Sequence, residues 1–194
     1  MNDDEIEGHL SDYEDEIMEY ARQLGRGEFD EEEFQERLEK LAKALLLFLF
    51  LLGSGRSVDE IPDEARAELA EWERIHGESA RALGREIAEG VFNRRTSSAL
   101  SIRKLRRRIR LWLNRGAGIF ALAQTYDPRN PMLKWVWSPE KDHCEGCLRL
   151  NGQVHTAAGW RASGWVPKGR MLECRGFECG CRFVRTDEAE KGEF

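Results

Sequence analysis

The stretches DHCEGC (residues 142–147) and CRGFECGC (residues 174–181) contain all five cysteines of this 194-residue chain. Their order is C-x-x-C, a gap of twenty-six residues, and then C-x-x-x-x-C-x-C. Two clusters of closely spaced cysteines are the usual source of four ligands for a tetrahedral zinc ion. Gly146 and Gly180 give these clusters the backbone freedom that a tight ligand turn needs. The sequence therefore predicts a zinc site in this part of the chain.

The candidate metal ligands are Cys144, Cys147, Cys174, Cys179 and Cys181. We expect the first two to bind together with two of the other three, so that one sulfur is spare. His143 or His155 could replace one cysteine. Asp142 or His143 could instead orient a ligand through a hydrogen bond.

A structural role is favoured over a catalytic one. A catalytic zinc keeps an open position for water and has a general base nearby, whereas the sulfurs here suffice to fill the shell, and the chain has no H-E-x-x-H motif. A redox C-x-x-C pair precedes a long helix, but the residues after Cys147 predict a turn. The N-terminus has no signal-peptide pattern, so we expect a reducing cytoplasm without disulfides. We therefore expect no enzymatic activity.

Apolar periodicity predicts about four helices in the N-terminal part of the chain. The first ends near Gly25 or Gly27, and Asp30 is the predicted N-cap of the second, with Phe29 and Phe34 as a hydrophobic staple. The third begins near residue 60, through a Ser57–Glu60 capping box or at Pro62. The fourth runs from about Ser97 to Tyr126, and glycines at positions 116 and 118 can interrupt it. His9 and His76 are predicted to face solvent.

The segment from Asp127 to Pro131 cannot continue a helix, because it contains two prolines. Runs of β-forming residues beyond it predict short strands at Leu133–Trp137, Val154–Thr156, Trp165–Val166 and Arg182–Val184. Asn151-Gly152 predicts a hairpin turn. We therefore expect a mainly α fold: a helical region in residues 1–128, a small α+β zinc-binding module in residues 129–186, and a tail in residues 187–194.

Charge is distributed unevenly along the chain. The net charge is −6, and residues 1–40 contain sixteen acids and four basic residues, whereas no acid and nine basic residues lie between Glu89 and Asp127. The predicted basic contact surface consists of Arg103, Lys104, Arg106, Arg107, Arg108, Arg110 and Arg115. This surface could contact nucleic acid, complement the acidic helices within the fold or between subunits, or simply be solvated.

The second predicted helix ends in an apolar run, residues 44–52, that is too short to span a bilayer. We expect a fully buried helix end and no membrane contact, although an oligomer interface is an alternative. The core or oligomer patch consists of Leu45, Leu46, Leu47, Phe48, Leu49, Phe50, Leu51 and Leu52.

One segment resembles the C-terminal motif of the phage head morphogenesis proteins, the minor head proteins similar to the F protein of phage Mu. Its residues are Trp137, Asp142, His143, Cys144, Cys147, Leu150, Asn151, Gly152 and Val154, followed by Pro167 and a closing Cys179-Gly180-Cys181. The match covers about a quarter of the chain. Members of the family often close with H-x-x-C-R-C, whereas this chain has Cys174 and Gly180 and no histidine there.

The resemblance implies a virion protein of the phage head, made in the host cytoplasm and associated with the portal or capsid interior during assembly. Implied partners are the portal and the major capsid protein, with several copies of this chain and non-specific DNA contact as further expectations. The alternative function is a cytoplasmic zinc-ribbon protein that binds nucleic acid through the basic helix at residues 103–115. An enzyme that uses the metal is a third, weaker class.

Overall fold

The computed structural model describes residues 3–92, 102–139, 143–176 and 179–194. The predicted start of the fourth helix near Ser97 and the candidate residue Asp142 lie outside these ranges. The elements are α1 (Asp3–Arg26), α2 (Glu31–Ser54), α3 (Asp63–Phe92), α4 (Ile102–Gly116), α5 (Gly118–Gln124), β1 (Met132–Val136), α6 (Glu145–Leu150), β2 (Val154–Thr156), α7 (Ala157–Ser163) and β3 (Arg182–Arg185).

The prediction of a mainly α fold with a small α+β part near the C-terminus is confirmed. The chain packs as two compact units. The first contains Met1–Leu45 and Glu73–Leu113, and the second contains Leu46–Trp72 and Asn114–Phe194. The division by sequence texture after residue 128 stays a prediction.

The first unit is entirely helical in its described part, and local signals fix its helix ends. Asp30 caps α2, because its Oδ1 accepts a hydrogen bond of 2.9 Å from the backbone N–H of Glu33. The rings of Phe29 and Phe34 stack with their centroids 6.1 Å apart, which confirms the predicted staple. The predicted exposure of His9 is confirmed. The prediction for His76 is wrong: it is only 2% exposed and packs edge-on against Trp112, since α3 turns that face inward.

Ion pairs within the first unit involve three of the seven residues of the predicted basic contact surface. Glu14 of α1 is buried, and its carboxylate lies 2.7 Å from Nε of Arg110 and 3.4 Å from Nε of Arg106. Arg108 forms a two-pronged pair with Glu86 of α3. The acidic helices thus complement part of the basic helix inside the fold.

The second unit contains a three-stranded antiparallel sheet in the order β2-β1-β3. Its core is aromatic: Trp135 lies 5.6 Å from both Trp160 and Phe183, measured between ring centroids. The indole N–H of Trp160 donates to the carbonyl of Leu133 at 2.8 Å. This bond satisfies a polar group that burial would otherwise leave unpaired.

Two predictions about the second unit are wrong. Trp165 and Val166 form no strand; they follow Gly164, the left-handed residue that caps the C-terminus of α7. Asn151-Gly152 is not a turn between two strands but the end of α6, with Gly152 at φ +81°. The short helices α6 and α7 were not predicted. The other three predicted strands are confirmed within a residue or two.

Asp127 fastens the end of α5 to the sheet. Its side chain is buried and accepts hydrogen bonds of 2.9 and 2.8 Å from the guanidinium of Arg129 and of 2.5 Å from Arg185 in β3. The bond from the Arg129 side chain is the main reason why the pKa of Asp127 is lowered.

The last eight residues pack onto β2 rather than extending away from it. Lys191 and Val154 exchange two backbone hydrogen bonds of 2.8 Å. Phe194 stacks on His155 with ring centroids 4.1 Å apart. These contacts extend the sheet by one bridge and cover the ring of His155.

The apolar run at the end of α2 is only half buried. Leu45, Leu46, Leu49 and Phe50 are buried, whereas Leu47, Phe48, Leu51 and Leu52 are partly exposed. The expectation of a fully buried helix end is therefore wrong for one face, because only the face at helical spacing packs inward. Among the described helices, none combines the length and apolarity that crossing a bilayer requires.

We expect Glu14→Gln to lower the free energy of unfolding by about 1–3 kcal/mol, because two guanidinium groups lose a buried anionic partner. Chemical denaturation of the purified chain measures this. Glu7→Gln is the matched control, since Glu7 lies exposed on the same helix. Equal stability of the two variants would contradict the assigned role of Glu14.

Asp127→Asn should cost about 1–2 kcal/mol at neutral pH, where the arginine contacts are partly screened by water. Because the pKa of Asp127 is lowered from 3.8, its contribution is complete above about pH 4 and is lost as pH falls through the lower folded value. Urea denaturation should therefore show a larger difference between the variant and wild type at pH 7 than at pH 3. Asp187→Asn, at an exposed position, should match wild type at both.

Candidate metal centre

All five cysteines are free thiols and converge in the second unit. Cys144 is the N-cap of α6, and Cys147 lies in its first turns. Cys174 and Cys179 come from the loop before β3, and Cys181 directly precedes that strand. The prediction that a turn follows Cys147 is wrong, because the next three residues complete α6. A helix of six residues is nonetheless far shorter than the one that follows a redox pair.

The sulfur atoms form two overlapping groups. Those of Cys144, Cys147 and Cys174 lie within 4.8 Å of one another, and so do those of Cys147, Cys179 and Cys181. Two sulfurs bound to one tetrahedral zinc, each at about 2.3 Å, lie about 3.8 Å apart. The arrangement therefore fits a metal ion, and Cys147 belongs to both groups.

Because three of these thiols are buried, their ionised forms are stable only beside a positive charge. Cys147 and Cys181 are each 1% exposed, and Cys179 is 5% exposed. Contact with Cys179 and Cys181, together with burial, raises the pKa of the Cys147 thiol. Burial is the main cause that raises the pKa of Cys174 to about 12. Neighbouring thiolates repel one another, so a bound cation would allow several of these sulfurs to be anionic together.

Backbone amides also point at the sulfurs. The N–H of Gly176 donates to the sulfur of Cys174, and the N–H of Cys181 donates to that of Cys179. Such bonds favour a thiolate and fix its direction. Gly176 has φ +79°, and a Cβ there would lie 2.6 Å from the carbonyl oxygen of Lys168. Only glycine fits this turn without displacing its neighbour.

A polar clamp holds the cysteine loop against the end of α4. The Nδ2 atom of Asn114 donates to the carbonyls of Gly176 and Cys179, at 2.9 and 3.2 Å. Lys168 donates to Oδ1 of Asn114 at 2.8 Å, which fixes the orientation of the amide. Sequence reasoning missed Asn114 and Lys168, because nothing in their local pattern marks them.

Arg115 follows Asn114 and was predicted as part of the basic contact surface. It is only partly exposed, and burial is the main cause that lowers its pKa, followed by the charges of Arg175 and Arg170. Arg103, Lys104 and Arg107 are exposed on α4. The predicted surface is therefore not one uniform patch.

Two further polar side chains adjoin the sulfurs. Glu173 accepts a hydrogen bond of 3.3 Å from the backbone N–H of Gly146, and it contacts the thiol of Cys144. The ring of His143 has its Nδ1 4.0 Å from Sγ of Cys181, and its Nε2 is buried without a hydrogen-bond partner among the described residues. Glu173 was missed from the sequence, since an acid beside a cysteine carries no particular signal.

The structure places His155 in other contacts. Its Nδ1 lies 2.9 Å from a carboxylate oxygen of Glu190, and its Nε2 lies 3.2 Å from Oε1 of Gln153. This differs from the expectation that His155 could replace a cysteine, because both ring nitrogens already have partners in the tail and in β2.

Comparisons of this chain with protein-family models, with curated proteins and with solved structures gave no match.

We expect Gly176→Ala to weaken metal binding at least 10-fold, because the added Cβ collides with Lys168 and tilts the amide away from Cys174. Competition with a chromophoric chelator measures the affinity. Gly152→Ala is the matched control: Gly152 also has positive φ, but a Cβ there meets nothing within 4 Å. If both variants bind metal alike, the Gly176 turn does not position the site.

Proposed function

We propose that this protein is a minor head protein that takes part in phage head morphogenesis, and that a structural zinc ion holds its C-terminal module together. The observation that carries the proposal is the segment from Trp137 to Val154 with its closing cysteines, which resembles the motif of that family. The module follows a helical region, as the resemblance implies. No catalytic role is assigned to the chain.

Contacts among the motif residues support treating the motif as one unit. The ring of Trp137 stacks on His143 with centroids 4.7 Å apart, and its backbone N–H donates to Oδ1 of Asn151 at 3.2 Å. The N–H of Gly152 donates to the carbonyl of Trp135 at 2.9 Å. The residues that flank the cysteines thus fix both ends of α6 to β1, which gives their spacing a physical reason.

Zinc is the metal that this donor set favours. Soft thiolate ligands in a tetrahedral arrangement select zinc or iron–sulfur clusters, and zinc needs no redox partner. When bound, the ion supplies cross-links between α6 and the loop before β3. The sheet has only three short strands, so such a cross-link contributes directly to folding. The sulfurs provide enough ligands to leave no position for water.

The charge pattern favours protein partners over nucleic acid. Arg106 and Arg110 pair with Glu14, and Arg108 pairs with Glu86, so these three guanidinium groups are partly neutralised within the chain. The strongly acidic surface of α1 would repel a phosphate backbone. Contacts with the portal, the major capsid protein or further copies of this chain fit this surface better. In this proposal the protein resides in the virion head and has no membrane contact.

The proposal is tested by expressing the chain with its neighbouring phage structural genes and analysing purified heads. We expect the chain in the heads and bound to the portal. We also expect Cys147→Ser to reduce incorporation, because it removes a central sulfur. Absence from heads, combined with steeply salt-dependent DNA binding that Arg103→Glu and Arg107→Glu abolish, would support the zinc-ribbon alternative instead.

The structural role of the metal has its own measurement. Removal by a strong chelator should lower the melting temperature of the purified chain and reduce the near-ultraviolet circular dichroism of Trp135 and Trp160, because both rings pack in the sheet core. Zinc should restore both signals. A chelated protein with unchanged spectra and melting temperature would contradict the structural role.

A further inference from the structure

We infer that the cysteine cluster is a binuclear centre in which the thiolate of Cys147 bridges two divalent metal ions. The inference rests on the proposed structural zinc and extends it to a second ion. A single zinc would bind four of the five cysteines and leave one sulfur unused. Two ions would give every cysteine a role as a ligand.

The grouping of the five sulfurs points to two ions. Within the described residues they form two groups of three rather than one group of four, and only Cys147 belongs to both. A single tetrahedral ion requires four ligand atoms that are all mutual neighbours. Two ions that share Cys147 use all five cysteines, so no sulfur is spare.

Each group also has one further polar side chain beside it. Glu173 contacts the thiol of Cys144, and its carboxylate is held there by the N–H of Gly146. A Cβ at Gly146 would lie only 3.2 Å from that carboxylate oxygen, so glycine gives the acid access to the cluster. Glu173 is thus the candidate oxygen ligand for the ion held by Cys144, Cys147 and Cys174.

The other group has a nitrogen ligand. Nδ1 of His143 lies 4.0 Å from Sγ of Cys181, close to the separation of about 3.6 Å for a nitrogen and a sulfur on one tetrahedral zinc. Stacking on Trp137 holds the ring in place. His143 is thus the candidate nitrogen ligand for the ion held by Cys147, Cys179 and Cys181.

Charge balance agrees with two ions. One zinc with four thiolates carries a net charge of about −2, and two zinc ions with five thiolates and one carboxylate carry the same charge. A second cation therefore allows the fifth thiol to ionise and bind without making the site more negative than one zinc with four thiolates.

Native mass spectrometry of the full-length protein, purified with excess zinc and then desalted, counts the bound ions. We expect two per chain. One per chain would overturn the binuclear centre and leave the structural zinc intact, whereas none in a folded protein would overturn both. Reconstitution with ¹¹³Cd should give two resonances, split by coupling through the shared sulfur. Two resonances without splitting would place the ions apart and exclude the bridge.

Variants identify the ligands of each ion. Cys181→Ser should lose one ion and keep the other, and His143→Ala should weaken the same ion without affecting its neighbour. Glu173→Gln should weaken the other ion instead. His155→Asn is the control and should keep both, because His155 lies in other contacts. Retention of two ions by all of these variants would overturn the assignment. Simultaneous loss of both ions in Cys181→Ser would overturn it as well.

Discussion

Five thiols from two stretches of chain, separated by twenty-six residues, meet in one small region of the second unit, and three of them are buried there. Burial removes water from Cys147, Cys179 and Cys181, so their negative charges can coexist only beside a cation. The metal-binding proposal follows from this electrostatic constraint. It is also why the folding of this unit should be coupled to metal binding.

The scaffold around the thiols brings each stretch to the cluster by a different means. The first stretch is held by α6, because Cys144 is the N-cap of this helix and the residues after it, Asn151 and Gly152, bond to Trp137 and Trp135. The second stretch is a loop, and its backbone carbonyls are held by Asn114, which is itself oriented by Lys168. The described part of this loop forms no helix or strand. Hydrogen bonds from the side-chain amide of Asn114 therefore satisfy backbone carbonyls that a strand would pair with its neighbour.

Signals that act over a few residues predicted much of the fold. The cap at Asp30, the staple of Phe29 and Phe34, and the convergence of the cysteines all follow from local spacing. The helices α6 and α7 escaped prediction because six or seven residues are too few to show a period. Glu173 and Asn114 escaped because only tertiary packing brings Glu173 to Cys144 and Asn114 to the carbonyls of Gly176 and Cys179. His76 was misjudged for a similar reason, since a single polar residue does not reveal which face of a helix is covered.

The uneven charge of the chain takes on a different meaning once the ion pairs are known. Glu14 is buried between two arginines of α4, so part of the acidic excess of α1 serves the fold rather than the surface. In any other register of α1 against α4, the buried carboxylate would lose its two guanidinium partners, which is costly. The ion pairs therefore favour one pairing of the two helices. Arg103 and Arg107 lie on the exposed part of α4. Because the acidic excess is concentrated in residues 1–40, the pairing of α1 with α4 brings the most acidic and the most basic parts of the chain together and lowers the net charge of both.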